Sequence, residues 1–127
     1  ITDGDIAGAL SVIGDNPKND IYYSTGGAPE GVVVAAALSC YGGQIQGRLV
    51  LNDEEKVRAK KLGIKDFNKK YNIEDMVKGD VIFCATGVTS GEIAKGVKDL
   101  GNEFEVTTFA LHKSKNVNKI ITNIYNK

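Results

Sequence analysis

A glycine-rich segment with one acidic residue, Ser24 to Gly31, has the composition of a ligand-binding turn. It follows the β-prone residues Ile21 to Tyr23 and precedes an apolar, alanine-rich run, which predicts a strand, a turn and a helix. Glycines carry no Cβ, so they let a backbone approach a ligand closely, and free N–H groups in the first turn of a helix favour an anion such as phosphate. Glu30 lies in the same turn and can ligate a hard cation through its carboxylate oxygens. The residues Gly26, Gly27 and Glu30 therefore predict a metal–phosphate site.

Each segment that could bind a ligand also has a structural interpretation. In the glycine-rich segment, the glycines could form only a tight turn, and Glu30 could merely complement the helix dipole. Asp3 and Asp5, separated by Gly4, could ligate a divalent ion or bind sugar hydroxyls, or they could cap a helix. The run from Cys84 to Gly91 could form a second phosphate cradle after a strand, although it lacks the Gly-Lys-Ser/Thr ending of a P-loop. A turn between strand and helix explains that run equally well.

The composition excludes several classes of protein. The 127 residues make one ordinary domain, and 16 basic residues balance 16 acidic ones, so no global charge favours nucleic acid or an anionic membrane. Cys40 and Cys84 lie in apolar surroundings and predict buried free thiols of a reducing compartment. Because no signal peptide or spanning apolar run is visible, we expect a cytoplasmic protein. The single histidine, His112, excludes a His-based zinc site, and we expect no Ser–His–Asp or Cys–His catalytic set.

Hydrophobic periodicity and turn residues predict an alternation of helices and strands. The predicted helices cover Asp5 to Ile13, Pro29 to Cys40, a charged segment from Asp53 to Gly63, Ile73 to Val77, and Glu92 to Leu100. The predicted strands cover Asp20 to Ser24, Gln44 to Leu51, Val81 to Ala85, Phe104 to His112, and Asn118 to Tyr125, with a turn at Ser114 to Asn116. Such a pattern indicates an α/β or α+β layered domain with a mixed sheet.

The glycine-rich segment is one of a series of motifs along the chain. The series comprises Thr25-Gly26-Gly27-Ala28-Pro29-Glu30-Gly31, Ala35 to Leu38, Gly42-Gly43, Gln46 to Leu49, Asp3-Gly4-Asp5 upstream, and Gly79 to Phe83 and Ala85 to Thr89 downstream. This series strongly resembles the class II fructose-1,6-bisphosphatases of the bacterial GlpX type. The resemblance covers nearly the whole chain and weakens near its end. There, His112 to Val117 departs from the pattern common in that family, so we carry over no phosphate contact from these residues.

The resemblance implies a fold and an activity. The fold would be the layered α/β sugar-phosphatase fold shared with inositol monophosphatases, with residues 1–127 as its C-terminal αβα domain with a mixed sheet and the N-terminal domain absent. The activity would be Mn²⁺- or Mg²⁺-dependent hydrolysis of the 1-phosphate of fructose 1,6-bisphosphate to fructose 6-phosphate in gluconeogenesis, with sedoheptulose 1,7-bisphosphate as a further substrate. The full-length protein would form a homo-oligomer.

The resemblance also assigns roles to individual residues. Glu30 would be a metal ligand, and Asp3, Gly4, Asp5 and Gly27 would contact the substrate. No catalytic residue of the family falls in this segment, because most of its metal-binding carboxylates precede the first residue here. We therefore expect residues 1–127 alone to be inactive. Two alternatives remain open, namely a non-catalytic module that binds a sugar phosphate and a structural domain that binds none.

Overall fold

The computed structural model describes residues 5–14, 16–91 and 93–127, and for Asp5 the backbone only. The helices in these residues are α1 (Asp5–Leu10), α2 (Ala28–Tyr41), α3 (Asp53–Lys61) and α4 (Ile73–Met76). The strands are β1 (Gln46–Arg48), β2 (Lys70–Asn72), β3 (Ile82–Thr86), β4 (Lys98–Asp99), β5 (Glu103–His112) and β6 (Val117–Asn126). No helix in this part of the chain combines the length and apolar character needed to cross a bilayer.

The longest helix, α2, begins and ends within one residue of its predicted bounds. Gly27 is its N-cap, Pro29 lies in its first turn, and Gly42 ends it in the left-handed conformation (φ 69°), with its N–H donated to the carbonyl of Leu38. The charged helix α3 begins with a reciprocal capping box between Asn52 and Glu55. Both predicted helices are thus confirmed, because their end signals are local in sequence.

The larger sheet is built around β5. The strand β6 pairs with β5 along its whole length, while β3 and β4 pair with different parts of the other side of β5. The short strands β1 and β2 form a separate ribbon. Every strand pair among the described residues is antiparallel, so the expected mixed sheet is not found there. Hairpin connections such as the turn after His112 join antiparallel strands, whereas parallel strands need a long crossover.

The helices α1 and α2 pack on one face of the larger sheet and form the core. One cluster of buried side chains joins α1, α2 and α4 through Ala9, Val34, Leu38 and Ile73. The other joins α1 and α2 to the sheet through Leu10, Ala37, Phe83 and Leu111. The chain is thus an α/β protein in the broad sense. On the opposite face of β3, Ile82 and Cys84 are exposed. The prediction of buried thiols is therefore wrong for Cys84, while Cys40 is half-buried. Neither cysteine forms a disulfide.

Two predicted elements are wrong. Residues 21–27 form no strand, although Tyr22 packs against the core. The segment predicted as a helix from Glu92 to Leu100 contains bends and the short strand β4, and Glu92 itself lies outside the described residues. In both cases the local pattern favoured a regular element, whereas pairing and packing with distant residues decided the backbone conformation.

Candidate functional site

The glycine-rich turn forms the open N-terminal end of α2. Gly27 has an extended backbone (φ −68°, ψ 144°), and the first helical hydrogen bond runs from the N–H of Gly31 to its carbonyl at 3.0 Å. No side chain caps this end of the helix. The N–H groups of Ala28 and Glu30 are therefore left for solvent or for an anion, since Pro29 has none.

The side chain of Glu30 folds back over Gly27. A Cβ added to Gly27 would overlap Oε2 of Glu30 and would lie 3.0 Å from its Cδ. Glu30 is exposed, and within the described part of the chain its carboxylate takes part in no hydrogen bond or ion pair. The structure thus brings together the two residues that the sequence singles out here, with an anion-binding backbone and a free carboxylate on one turn.

The remaining predicted site residues lie at the start of the chain. Asp3 and Gly4 fall outside the described residues, and the side chain of Asp5 is not described either. The backbone of Asp5 begins α1, and Ile13 after this helix approaches Gly43, just past the C-terminal end of α2. This contact indicates that α1 and α2 run in the same direction, so that Asp5 lies towards the same end of the helix pair as Gly27.

The donor set at this site fits one part of a divalent cation site. Carboxylate oxygen is the ligand that Mn²⁺ and Mg²⁺ prefer, and Glu30 supplies it without a competing partner. Among the described residues, no three His, Cys, Asp or Glu side chains come together to hold a metal ion. Glu30 can therefore provide one ligand, and the others must come from elsewhere.

The second candidate cradle, the loop that follows β3, donates several of its backbone N–H groups to other groups of the protein. Its donated N–H groups are those of Gly87 to Thr107 O, Gly91 to Ala94 O, Gly96 to Ser90 Oγ and Val97 to Val88 O. The backbone is also closely packed, because a Cβ on Gly87 would overlap the carbonyl oxygen of Lys95. This geometry favours the interpretation of the run from Cys84 to Gly91 as a structural turn.

A serine, a histidine and an aspartate come together in the structure, although the sequence spacing gives no sign of it. His112 Nε2 lies 2.7 Å from Asp80 Oδ2 and 3.2 Å from Ser114 Oγ, and the Ser114 hydroxyl donates to Asp80 Oδ2 at 2.6 Å. In a hydrolase triad the acid and the serine contact opposite ring nitrogens. Here both contact the same nitrogen, and the serine proton is directed to the aspartate. The cluster is therefore arranged as a structural contact, called the brace below, and not as a catalytic triad.

The hydrogen bonds of the brace also change the pKa of its acidic residue, Asp80. The Ser114 hydroxyl and His112, together with the N–H groups of Ser114 and Val81, hold the pKa of Asp80 well below its ordinary value. Asp80 lies 32 residues from His112 and 34 residues from Ser114 in sequence, so no local spacing could have predicted the cluster.

A cavity of about 250 Å³ lies between α1 and the larger sheet, away from the glycine turn. Its walls include Leu10, Ile13, Phe109 and Ile120. It contains neither Gly27 nor Glu30 and is mostly apolar, so it does not add groups to the candidate site.

Comparison with known proteins identifies relatives over almost the entire chain. Residues 1–125 match the family described as bacterial fructose-1,6-bisphosphatase, glpX-encoded. The chain is 33% identical to fructose-1,6-bisphosphatase 2 class 2 of Escherichia coli, a match that covers 98% of this chain and 43% of the relative. It is 36% identical to fructose-1,6-bisphosphatase class 2 of Haemophilus influenzae, covering 94% of this chain and 40% of the relative.

A cyanobacterial relative has a broader name. The chain is 33% identical to D-fructose 1,6-bisphosphatase class 2/sedoheptulose 1,7-bisphosphatase of Synechococcus sp., a match that covers 100% of this chain and 41% of the relative. The chain thus spans less than half the length of the curated relatives it matches.

Proposed function

We propose, because the chain belongs to the family of glpX-encoded bacterial fructose-1,6-bisphosphatases, that it forms part of an enzyme hydrolysing the 1-phosphate of fructose 1,6-bisphosphate. The product is fructose 6-phosphate, and the reaction serves gluconeogenesis in the cytoplasm. The observation that carries this proposal is the family match over residues 1–125, which includes the turn from Gly26 to Glu30. The name of the cyanobacterial relative supports sedoheptulose 1,7-bisphosphate as a second substrate.

In the proposed site the glycine turn binds the phosphate and Glu30 binds the metal ion. The N–H groups at the start of α2 receive a phosphoryl oxygen, which the helix dipole favours. The Glu30 carboxylate supplies one ligand to Mn²⁺ or Mg²⁺, and its negative charge offsets the dipole's unfavourable effect on a cation, about 0.3–1 kcal/mol. When bound, such an ion neutralises phosphate charge and lowers the pKa of water. Asp3, Gly4 and Asp5 contact the substrate, the two aspartates through its sugar hydroxyls.

On this proposal, residues 1–127 alone do not catalyse the reaction. Metal-assisted phosphoryl hydrolysis needs several carboxylates around the ions, and among the described residues no three His, Cys, Asp or Glu side chains come together to hold one. Measurable Mn²⁺-dependent phosphate release by the isolated chain would contradict this part of the proposal.

The test measures phosphate release from fructose 1,6-bisphosphate with Mn²⁺, using the full-length enzyme that contains this chain. Glu30→Ala should lose metal binding and most of kcat while the protein stays folded. Glu54→Ala is the matched control, because Glu54 is an exposed glutamate in the first turn of α3 and should have no effect. Retained activity of Glu30→Ala at saturating Mn²⁺ would refute the role of Glu30.

A lack of turnover in a folded, metal-loaded parent would instead favour a non-catalytic module that binds a sugar phosphate. Calorimetry with and without a chelator separates the two functions. A binding module would take up the sugar phosphate stoichiometrically without metal, whereas the enzyme requires the cation.

A further inference from the structure

The segment that leads into the glycine turn has a single side chain facing the protein interior. Residues 21–27 form neither a helix nor a strand, yet they determine where Gly27, the N-cap of α2, lies. From Asp20 to Gly27, Tyr22 is the one residue that is not exposed. Its two neighbours, Ile21 and Tyr23, are 82% and 94% exposed. Tyr22 is therefore the side chain through which packing can fix this segment.

The residues just before the segment are held by the end of α1. The carbonyl of Ser11 accepts the N–H groups of Lys18 at 3.0 Å and of Asn19 at 3.3 Å. The Ser11 hydroxyl accepts a hydrogen bond from Nδ2 of Asn19 at 2.9 Å and donates one to the carbonyl of Gly8 at 2.6 Å. These bonds attach the start of the connection to α1, and Tyr22 is the next anchor along the chain before Gly27.

Tyr22 packs against the core cluster that joins α1, α2 and α4. The buried members of this cluster are Ala9, Val34, Leu38 and Ile73. Two of these members lie one helical turn beyond residues of the proposed site. Ala9 follows Asp5 in α1 by one turn, and Val34 follows Glu30 in α2 by one turn. The packing of Tyr22 thus connects the entering segment to the two helices whose N-terminal ends carry the proposed site.

We propose that Tyr22 is a positioning residue, which fixes the glycine turn on the helix pair so that Gly27 and Glu30 meet the phosphate and the metal ion. The inference rests on the proposed function, and in this role Tyr22 contacts neither ligand itself. A binding site works only when the surrounding packing holds its groups to within about 0.5 Å. Because no side chain caps the N-terminal end of α2, the anchored segment before it must hold the turn in place.

Phosphate release by the full-length enzyme that contains this chain tests the role of Tyr22. Tyr22→Ala should lower kcat about tenfold or more, because small misplacements of binding groups are costly in rate. It should also raise the Mn²⁺ concentration needed for half-maximal activity, since Glu30 is displaced with the turn. Tyr22→Phe keeps the ring and should retain the parent's kcat and Mn²⁺ dependence.

The matched control separates positioning from a general loss of packing. Ile45 packs against the same cluster as Tyr22, but it follows the C-terminal end of α2, whereas the glycine turn precedes the N-terminal end. Ile45→Ala should therefore lose stability and keep the parent's kcat and Mn²⁺ dependence. If Tyr22→Ala does not fold, Tyr22→Leu takes its place and should change both values in the same direction by a smaller factor.

Amide hydrogen exchange at Gly31 reports on the turn without any measurement of activity. The N–H of Gly31 makes the first hydrogen bond of α2, to the carbonyl of Gly27 at 3.0 Å. Tyr22→Ala should speed its exchange about tenfold, whereas Ile45→Ala should not.

The two measurements distinguish a failure of this inference from a failure of the proposed function. A folded parent without turnover would refute the proposed function, while exchange at Gly31 would still decide the role of Tyr22. The inference is overturned if Tyr22→Ala leaves the exchange of Gly31 unchanged, or if a folded Tyr22→Ala keeps the parent's kcat and Mn²⁺ dependence. Equal effects of Ile45→Ala would overturn it as well.

Discussion

The carboxylate of Glu30 occupies the space that a side chain at Gly27 would need. The backbone of Gly27 is extended (φ −68°, ψ 144°), a conformation open to any residue, so the turn itself does not require glycine there. The missing Cβ instead makes room for Oε2 of Glu30. Gly27 therefore determines where the candidate metal ligand points.

Gly27→Ala should separate folding from function. The added methyl group displaces a flexible, exposed carboxylate and not the backbone, so the melting temperature should change little. Activity of the full-length enzyme with Mn²⁺ should fall, because Glu30 can no longer keep its orientation over the turn. The control is Gly47→Ala, since a Cβ at Gly47 meets no atom within 4 Å. Full activity of Gly27→Ala across a Mn²⁺ titration would show that the observed orientation of Glu30 has no functional role.

The brace formed by Asp80, His112 and Ser114 predicts how stability responds to pH. Hydrogen bonds from Ser114 and His112 hold the pKa of Asp80 below its ordinary value of 3.8. A depressed folded-state pKa contributes stability that is present above the unfolded-state pKa and is lost as pH falls through the folded-state pKa. Asp80→Asn should therefore lower the free energy of unfolding at pH 7, and the difference from the parent should shrink below about pH 3.8.

Urea denaturation of the parent and of Asp80→Asn at neutral and acidic pH measures this difference. Asp53→Asn is the control, because Asp53 pairs with Lys56 on the surface with 98% of its side chain exposed. That variant should have almost no effect at any pH, as surface ion pairs contribute little. A difference between the parent and Asp80→Asn that stays constant as pH falls would exclude an ionised Asp80 as the source of the stability.

Sequence reasoning succeeded where the determining groups are neighbours along the chain. The ends of α2 follow from Pro29 and Gly42, and the β5–β6 hairpin follows from two β-rich runs around a polar turn. The short spacing between Gly27 and Glu30 can be read from the sequence. The reason that glycine is needed, namely that Oε2 of Glu30 occupies the space of a Cβ at Gly27, can be read only from the structure.

Sequence reasoning failed where distant residues decide the outcome. The segment from Glu92 to Leu100 is not the predicted helix because its backbone packs closely against the loop after β3, as Lys95 does at Gly87. The exposure of Cys84 depends on which face of the sheet the helices cover, and its own apolar neighbours do not reveal that. The contact of His112 with Asp80 joins residues 32 positions apart.

Two glycine substitutions in the 127-residue chain should have opposite effects on stability. A Cβ at Gly87 would overlap the backbone carbonyl of Lys95, which cannot swing away, so Gly87→Ala should reduce the free energy of unfolding by about 1–3 kcal/mol. Gly31 lies inside α2, and a Cβ there meets nothing within 4 Å. Since alanine favours a helix over glycine, Gly31→Ala should raise the free energy of unfolding by about 0.5–1 kcal/mol. Urea midpoints measured at equal m-values give both changes. A destabilised Gly31→Ala, or a neutral Gly87→Ala, would mean that the packing around these two glycines differs from the one described.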